Sequence, residues 1–184
     1  MTTTLRTTAA ALLALGFLHT TSTPACAASA AEISASSRTA LRDLYAGNPA
    51  AKTLGAKARA ILVFPSIMKG GFIFGAELGD GALLKGGRTA GYYRTTGISY
   101  GFQAGVQKYG YALFLMNDSA LKYLDQSEGF EIGTGPSVVI VDEGVAGGLS
   151  TSTARDDIYA FIFDQKGLMA GLGLQGSKIT RFNP

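Results

Sequence analysis

Beyond residue 26 the chain has neither histidine nor cysteine; its one histidine is His19 and its one cysteine is Cys26. Ser-His-Asp and Cys-His nucleophiles, thiolate zinc sites and the 2-His-1-carboxylate iron site each need one of those side chains. Carboxylate, lysine or hydroxyl chemistry remains, or binding without catalysis. The most suggestive carboxylates are two adjacent pairs, Asp142-Glu143 and Asp156-Asp157. Neighbours on a strand face opposite ways, and the pairs flank the small-residue stretch GVAGGLSTSTAR, residues 144–155. They read as solvated hairpin ends rather than a glycosidase or metal pair, and no EF-hand spacing accompanies them. No catalytic residue, metal or cofactor is expected.

Two glycine motifs approach nucleotide chemistry and miss it. GALLKGGRT (81–89) nearly spells the phosphate loop, but Gly87 and Arg88 stand where the lysine and hydroxyl are needed. GLGLQG (171–176) spells the dinucleotide fingerprint, yet only eight residues follow it, too few for the helix that would hold a pyrophosphate. No basic-aromatic run points to nucleic acid.

Charge is the stronger signal. From Arg38 to Lys108 ten Lys/Arg face three Asp/Glu; from Tyr109 to Gln165 two face nine. If the halves separate in space, the basic one suits anionic headgroups or other polyanions; if their strands interleave, the fields cancel. The candidate headgroup-binding residues are Lys52, Lys57, Arg59, Lys69, Lys85 and Arg88. A solvated basic face is the alternative reading of the same residues.

The elements that must position them follow an N-terminal leader. Arg6 precedes an apolar run, 9–18, and small residues continue to Ala31, the pattern of a signal peptide over 1–27. Ala25-Cys26-Ala27 fits a small-x-small cleavage site, while Thr23-Pro24-Ala25-Cys26 resembles a degraded lipobox, with Thr for the usual Leu. Cys26 is therefore either removed or lipid-modified. An exported, periplasmic or membrane-anchored protein of the cell envelope is expected. No other stretch reaches the roughly 20 apolar residues of a spanning helix.

Residues 28–47 read as an extension bearing a short helix with a stop at Gly47. Asn48 and Pro49 are the N-cap and first residue of a second helix. From Ile61 the period becomes two-fold, with strands expected near 71–79, 81–86, 89–94, 97–106, 109–116, 136–142, 157–164, 167–174 and 177–182. A helix capped by Asn117 or Asp118 interrupts them. The fold class expected is α+β: a strongly curved or barrel-like, mainly antiparallel sheet with two N-terminal helices and one short inserted helix.

Glycine recurs at steps of four: Gly71, Gly75, Gly79, then Gly97, Gly101, Gly105, then Gly167, Gly171. One strand face then carries glycine around Glu77, and the other carries Phe72, Phe74, Ala76 and Leu78. The aromatic face is expected inside and the glycine face outside. Glycine inside strands costs stability, so either the sheet coils sharply or another group approaches the bare face closely.

The residues carrying these patterns, notably Pro65 and Lys69, Gly101-Phe102-Gln103 with Gly105, Met116-Asn117, and Lys166-Gly167-Leu168 through Gly176-Ser177, resemble the SYLF domain family over about 48–182. The family includes phosphoinositide-binding, actin-associated modules of fungi and animals and exported or lipid-anchored bacterial forms. The resemblance implies a non-enzymatic lipid-binding domain over 48–184, with membrane phospholipids as partners and basic residues meeting the headgroups. Asp164 stands where a basic residue is usual, and VDEGVAGG replaces a Gly-Pro segment. Both departures weaken an actin role, and actin is not a partner expected of an exported bacterial protein. The alternatives are an envelope structural or protein-interaction module, akin to a surface-antigen lipoprotein, and an enzyme with a carboxylate-and-lysine pocket.

Overall fold

The structure, a computed structural model, describes residues 28–71, 74–100, 105–126, 130–131, 135–141, 155–167 and 177–184. The leader with Cys26, the Asp142-Glu143 pair, the GLGLQG segment and most of the strand expected at 167–174 lie outside them.

Helix α1 (Ala30–Gly47) begins at a capping box in which Ser29 and Glu32 satisfy each other's backbone amides. Asn48 caps α2 (Pro49–Gly55) by accepting from the Ala51 amide, with Pro49 in the first turn, where its missing N–H costs nothing. Asn117 caps α3 (Asp118–Leu124) in the same way. Strands β1 (Ala60–Gly71), β2 (Phe74–Lys85), β3 (Arg88–Tyr100), β4 (Gly105–Leu115), β5 (Phe130–Glu131), β6 (Val138–Val141), β7 (Ile158–Gly167) and β8 (Lys178–Phe182) form one sheet. Its order is β5-β8-β3-β2-β1-β4-β7-β6. All pairings are antiparallel except β6 with β7.

The strands are longer than the sequence pattern suggests. Asp80, between two glycines, was expected at a turn but lies inside β2, where Arg94 of β3 holds it through two hydrogen bonds of 2.6 and 2.8 Å. β3 likewise runs unbroken through Gly97. A partnered carboxylate removes the reason for the chain to turn toward water. The true β2–β3 turn is Gly86-Gly87, both at positive φ, as a two-residue hairpin requires. The near-phosphate-loop sequence is thus a hairpin.

The sheet curls without closing. On a flat sheet β3 and β4 would stand about 14 Å apart, three strand spacings; here Tyr111 of β4 donates to Thr95 of β3 at 3.0 Å. The concave face holds Leu62, Phe64, Ile67, Tyr93, Tyr109, Tyr111, Leu113 and Ile179, with Ala120 and Leu124 of α3 packed in. The convex face holds Val63, Ala82, Phe114 and Phe161 under Ile33 of α1 and Ala51 and Leu54 of α2. One extra residue in β1, between Val63 and Ser66, breaks its register with both neighbours at Pro65, where a missing N–H is tolerated. The bulge also reverses the inward parity, so Ile67 and Lys69 continue the concave face.

That parity overturns the expected direction of the glycine strand. Its glycine face points inward and its apolar face outward. A Cβ on Gly79 would lie 2.6 Å from Ile67 and 2.9 Å from the Ser66 carbonyl, and one on Gly97 2.8 Å from the Glu77 carboxylate. The bare positions are what lets a sheet this curved approach itself.

Candidate lipid-facing surface

On the convex side α1 and α2 cover only the half of the sheet near the β2–β3 hairpin. The border is a polar row, Ser66, Asp80, Arg94 and Thr180, adjacent in register across four strands. Arg94 closes it by stacking over the Phe182 ring at 4.7 Å while gripping Asp80.

Past that row the described part of the sheet is exposed and apolar. Ile98 is 85% exposed, Val106 61%, Leu78 53% and Met68 51%. These residues form a patch by register: Met68 pairs with Leu78, Ala76 with Ile98, and Gly70 with both Ala76 and Val106. Contiguous large apolar side chains in water mark a surface built to meet something else. Along one line of the ladder they sit between cations, in the order Lys166, Lys108, Met68, Leu78, Thr96, Lys178, each adjacent to the next. All three lysines are exposed. Lys178 also faces Glu131 of the edge strand β5.

The concave side beneath this patch is polar. Lys69 lies in register between Glu77 of β2 and Gln107 of β4. Lys69 and Glu77 are each 7% exposed and Gln107 4%. Glu77 accepts from the Tyr109 hydroxyl at 2.8 Å and from the Ser177 hydroxyl. Burial, then the Glu77 charge, pushes the Tyr109 hydroxyl far above its ordinary pKa, so it remains a donor at any physiological pH. Among the described residues, the Oε1 of Gln107 is buried without a partner. This layer ties β2, β4 and the start of β8 together and supports the outer patch from within.

The six basic residues named from sequence divide. Lys57, Arg59, Lys85 and Arg88 come to one end of the sheet, around the start of β1 and the β2–β3 hairpin. Lys52 is exposed on α2. Lys69 lies at the opposite end, inside, so it is not a surface headgroup contact. Arg59 shares its charge with Asp118 at 3.7 Å. The four aliphatic residues and three lysines of the uncovered patch were not singled out from sequence. Alternating Ala76/Leu78 and Val106/Lys108 was the available signal, but periodicity cannot say which face is inside.

The acidic pair Asp156-Asp157 is structural. Asp157 accepts from Asn117 at 2.6 Å and from the Ser137 amide and hydroxyl at 3.1 Å, bracing the α3 cap against β6 and β7. Those bonds, Asn117 first, hold its carboxyl below the ordinary range. Among the described residues no group of three or more His, Cys, Asp or Glu could hold a metal. Among them also, no helix is long and apolar enough to cross a membrane, which says nothing of strands.

No curated protein matches the chain in sequence. The family model Ysc84, described as "Las17-binding protein actin regulator", matches residues 96–183. The match takes in the end of β3 with Ile98, then β4, α3, β7 and β8, and with them Val106, Lys108, Lys166 and Lys178. Residues 48–95, with Pro65 and Lys69, lie before it. Over the segment 96–183, just under half of its length, the chain is similar to the Ysc84, or SYLF, family.

Proposed function

We propose that this protein is a non-enzymatic lipid-binding module that docks on anionic phospholipid surfaces through the uncovered convex end of its sheet. The observation that carries the reading is the patch of Met68, Leu78, Ile98 and Val106 set between Lys108, Lys166 and Lys178. Apolar side chains enter the acyl boundary while flanking ammonium groups meet anionic headgroups, each cation adding about 1 kcal/mol near such a surface. The family match supports the reading in its coarser form, since it suggests a lipid-binding or actin-associated domain. The setting we propose is the bacterial cell envelope, reached by export, with Cys26 as the site of a lipid tether; an intact-mass spectrum of the mature protein distinguishes an acylated Cys26 from cleavage after it.

Co-sedimentation with vesicles of phosphatidylglycerol and of phosphatidylcholine tests the docking. Binding to the first that weakens with salt is expected. Equal and negligible binding to both at low salt would sink the proposal. A protein partner captured at the patch with no lipid dependence would favour the interaction-module reading instead.

A further inference from the structure

Helix α1 begins at the edge of the docking patch and runs away from it. Glu32, Ile33 and Ser36 of its first turns, with Ala28 just ahead, line a cavity of about 420 Å³ together with Pro65, Ser66 and Asp80. Ser66 and Asp80 belong to the polar row that borders the patch, and Met68 and Leu78 stand two residues beyond them, about 7 Å along their strands. Farther along α1, Ser37 donates to the Val63 carbonyl at 3.2 Å, and Leu41 and Tyr45 line a space with Leu84, Gly86 and Gly87 at the β2–β3 hairpin. The helix therefore spans from the border of the patch to the hairpin, 18 residues and roughly 27 Å.

Its first turn is held in place from two sides. Ile33 is buried against the convex core, and the capping box of Ser29 and Glu32 closes the helix ahead of it, with the Ser29 amide donating to Glu32 at 2.8 Å. Position 26 is two residues ahead of Ala28, and two residues of chain reach at most about 7 Å. An attachment there enters a membrane within about 20 Å of Met68 and Leu78. It cannot be carried to the hairpin, which lies the length of α1 away.

We infer that the protein docks in cis: the bilayer that receives the patch is the one that holds the N-terminus, and the molecule does not bridge from its own membrane to a second. The inference rests on the lipid reading of the patch and adds which bilayer meets it. One acyl chain by itself attaches a protein only marginally, and stable attachment takes a second signal. A patch of aliphatic residues and lysines beside the tether supplies that signal, and the tether makes its docking an intramolecular step at a high effective concentration.

The experiment couples the mature chain, Cys26 to Pro184, through its single thiol to a maleimide lipid in mixed phosphatidylcholine and phosphatidylglycerol vesicles; this chain keeps every described residue. The comparison is the same chain with Cys26→Ser and Lys85→Cys, coupled at the hairpin end; Arg88→Cys, exposed on the same hairpin, replaces it if the first variant does not fold. Contact of the patch is read by the rate at which peroxide oxidises Met68, followed by peptide mass. Bridging is read by light scattering after phosphatidylglycerol acceptor vesicles are added. Coupling at Cys26 should slow Met68 oxidation about tenfold relative to coupling at position 85 and leave the acceptors dispersed. Coupling at position 85 turns the patch outward and should cluster them. Equal Met68 oxidation in the two, or clustering by the Cys26-coupled chain as strong as by the other, overturns the inference. If the uncoupled chain still sediments with phosphatidylglycerol vesicles, such a result removes the cis geometry alone; if it does not, the lipid reading falls and the inference with it.

Discussion

Replacing Ile98 and Leu78 together with serine should detach the domain from anionic vesicles while leaving it folded. Burying a whole Ile or Leu side chain is worth about 1.5–3 kcal/mol. Ile98 is 85% exposed and Leu78 53%. If a membrane withdraws half of that surface from water, the pair contributes about 1–2 kcal/mol, and its loss lowers the partition coefficient about tenfold. Stability should change little, within about 0.5 kcal/mol, since neither side chain fills the core. The assay is vesicle co-sedimentation over a range of phosphatidylglycerol concentrations, with urea melts of both proteins. The variant should keep the wild-type salt dependence, because Lys108, Lys166 and Lys178 remain. An unchanged partition coefficient with an unchanged melt would refute the reasoning, since the most exposed apolar surface would then have no part in binding.

Charge reversal offers the complementary test: Lys108→Glu with Lys166→Glu should weaken vesicle binding most at low salt, whereas reversal at Lys57 and Arg59 should not, a contrast read by the same sedimentation at two ionic strengths. Glu77→Leu strands the buried Tyr109 hydroxyl and the Ser177 hydroxyl, and denaturant melts should show a loss of about 2–4 kcal/mol. Gly79→Ala places a methyl against Ile67 and the Ser66 carbonyl, and a loss of about 1–3 kcal/mol is expected in the same measurement. Asp157 has a depressed folded-state pKa, so its stabilisation is present above the unfolded value, near 4, and lost as pH falls through the lower folded value. Asp157→Ala should therefore cost about 1 kcal/mol at neutral pH, and its melts should converge on wild type in acid.

Local signals were legible where the physics is local. Asn48-Pro49 and Asn117 begin helices because a side-chain oxygen at that position satisfies an orphan amide whatever lies beyond. Two-fold alternation identified most strands, and the scarcity of histidine and cysteine argued against whole classes of chemistry. Boundaries were less legible. Asp80 between two glycines has the composition of a turn, and only Arg94, fourteen residues on, makes it strand. The bulge at Pro65 shifts β1 by one residue, and with it the face of Lys69.

The candidate site was read in part. Of the six cations found from sequence, four come to the end of the sheet around the β2–β3 hairpin, Lys52 is exposed on α2, and Lys69 lies at the other end, inside. The docking patch was missed because a strand with glycine on one face and apolar residues on the other fits either orientation. Sequence by itself determined the two faces, the helix caps and the surplus of positive charge in the first half, since each follows from neighbours a few residues apart. Tertiary structure alone decided that the glycine face turns inward. A sheet curled tightly enough for Tyr111 to reach Thr95 leaves no room for side chains near Gly79 and Gly97, and so Leu78 and Ile98 are left facing outward, beyond the reach of the two helices.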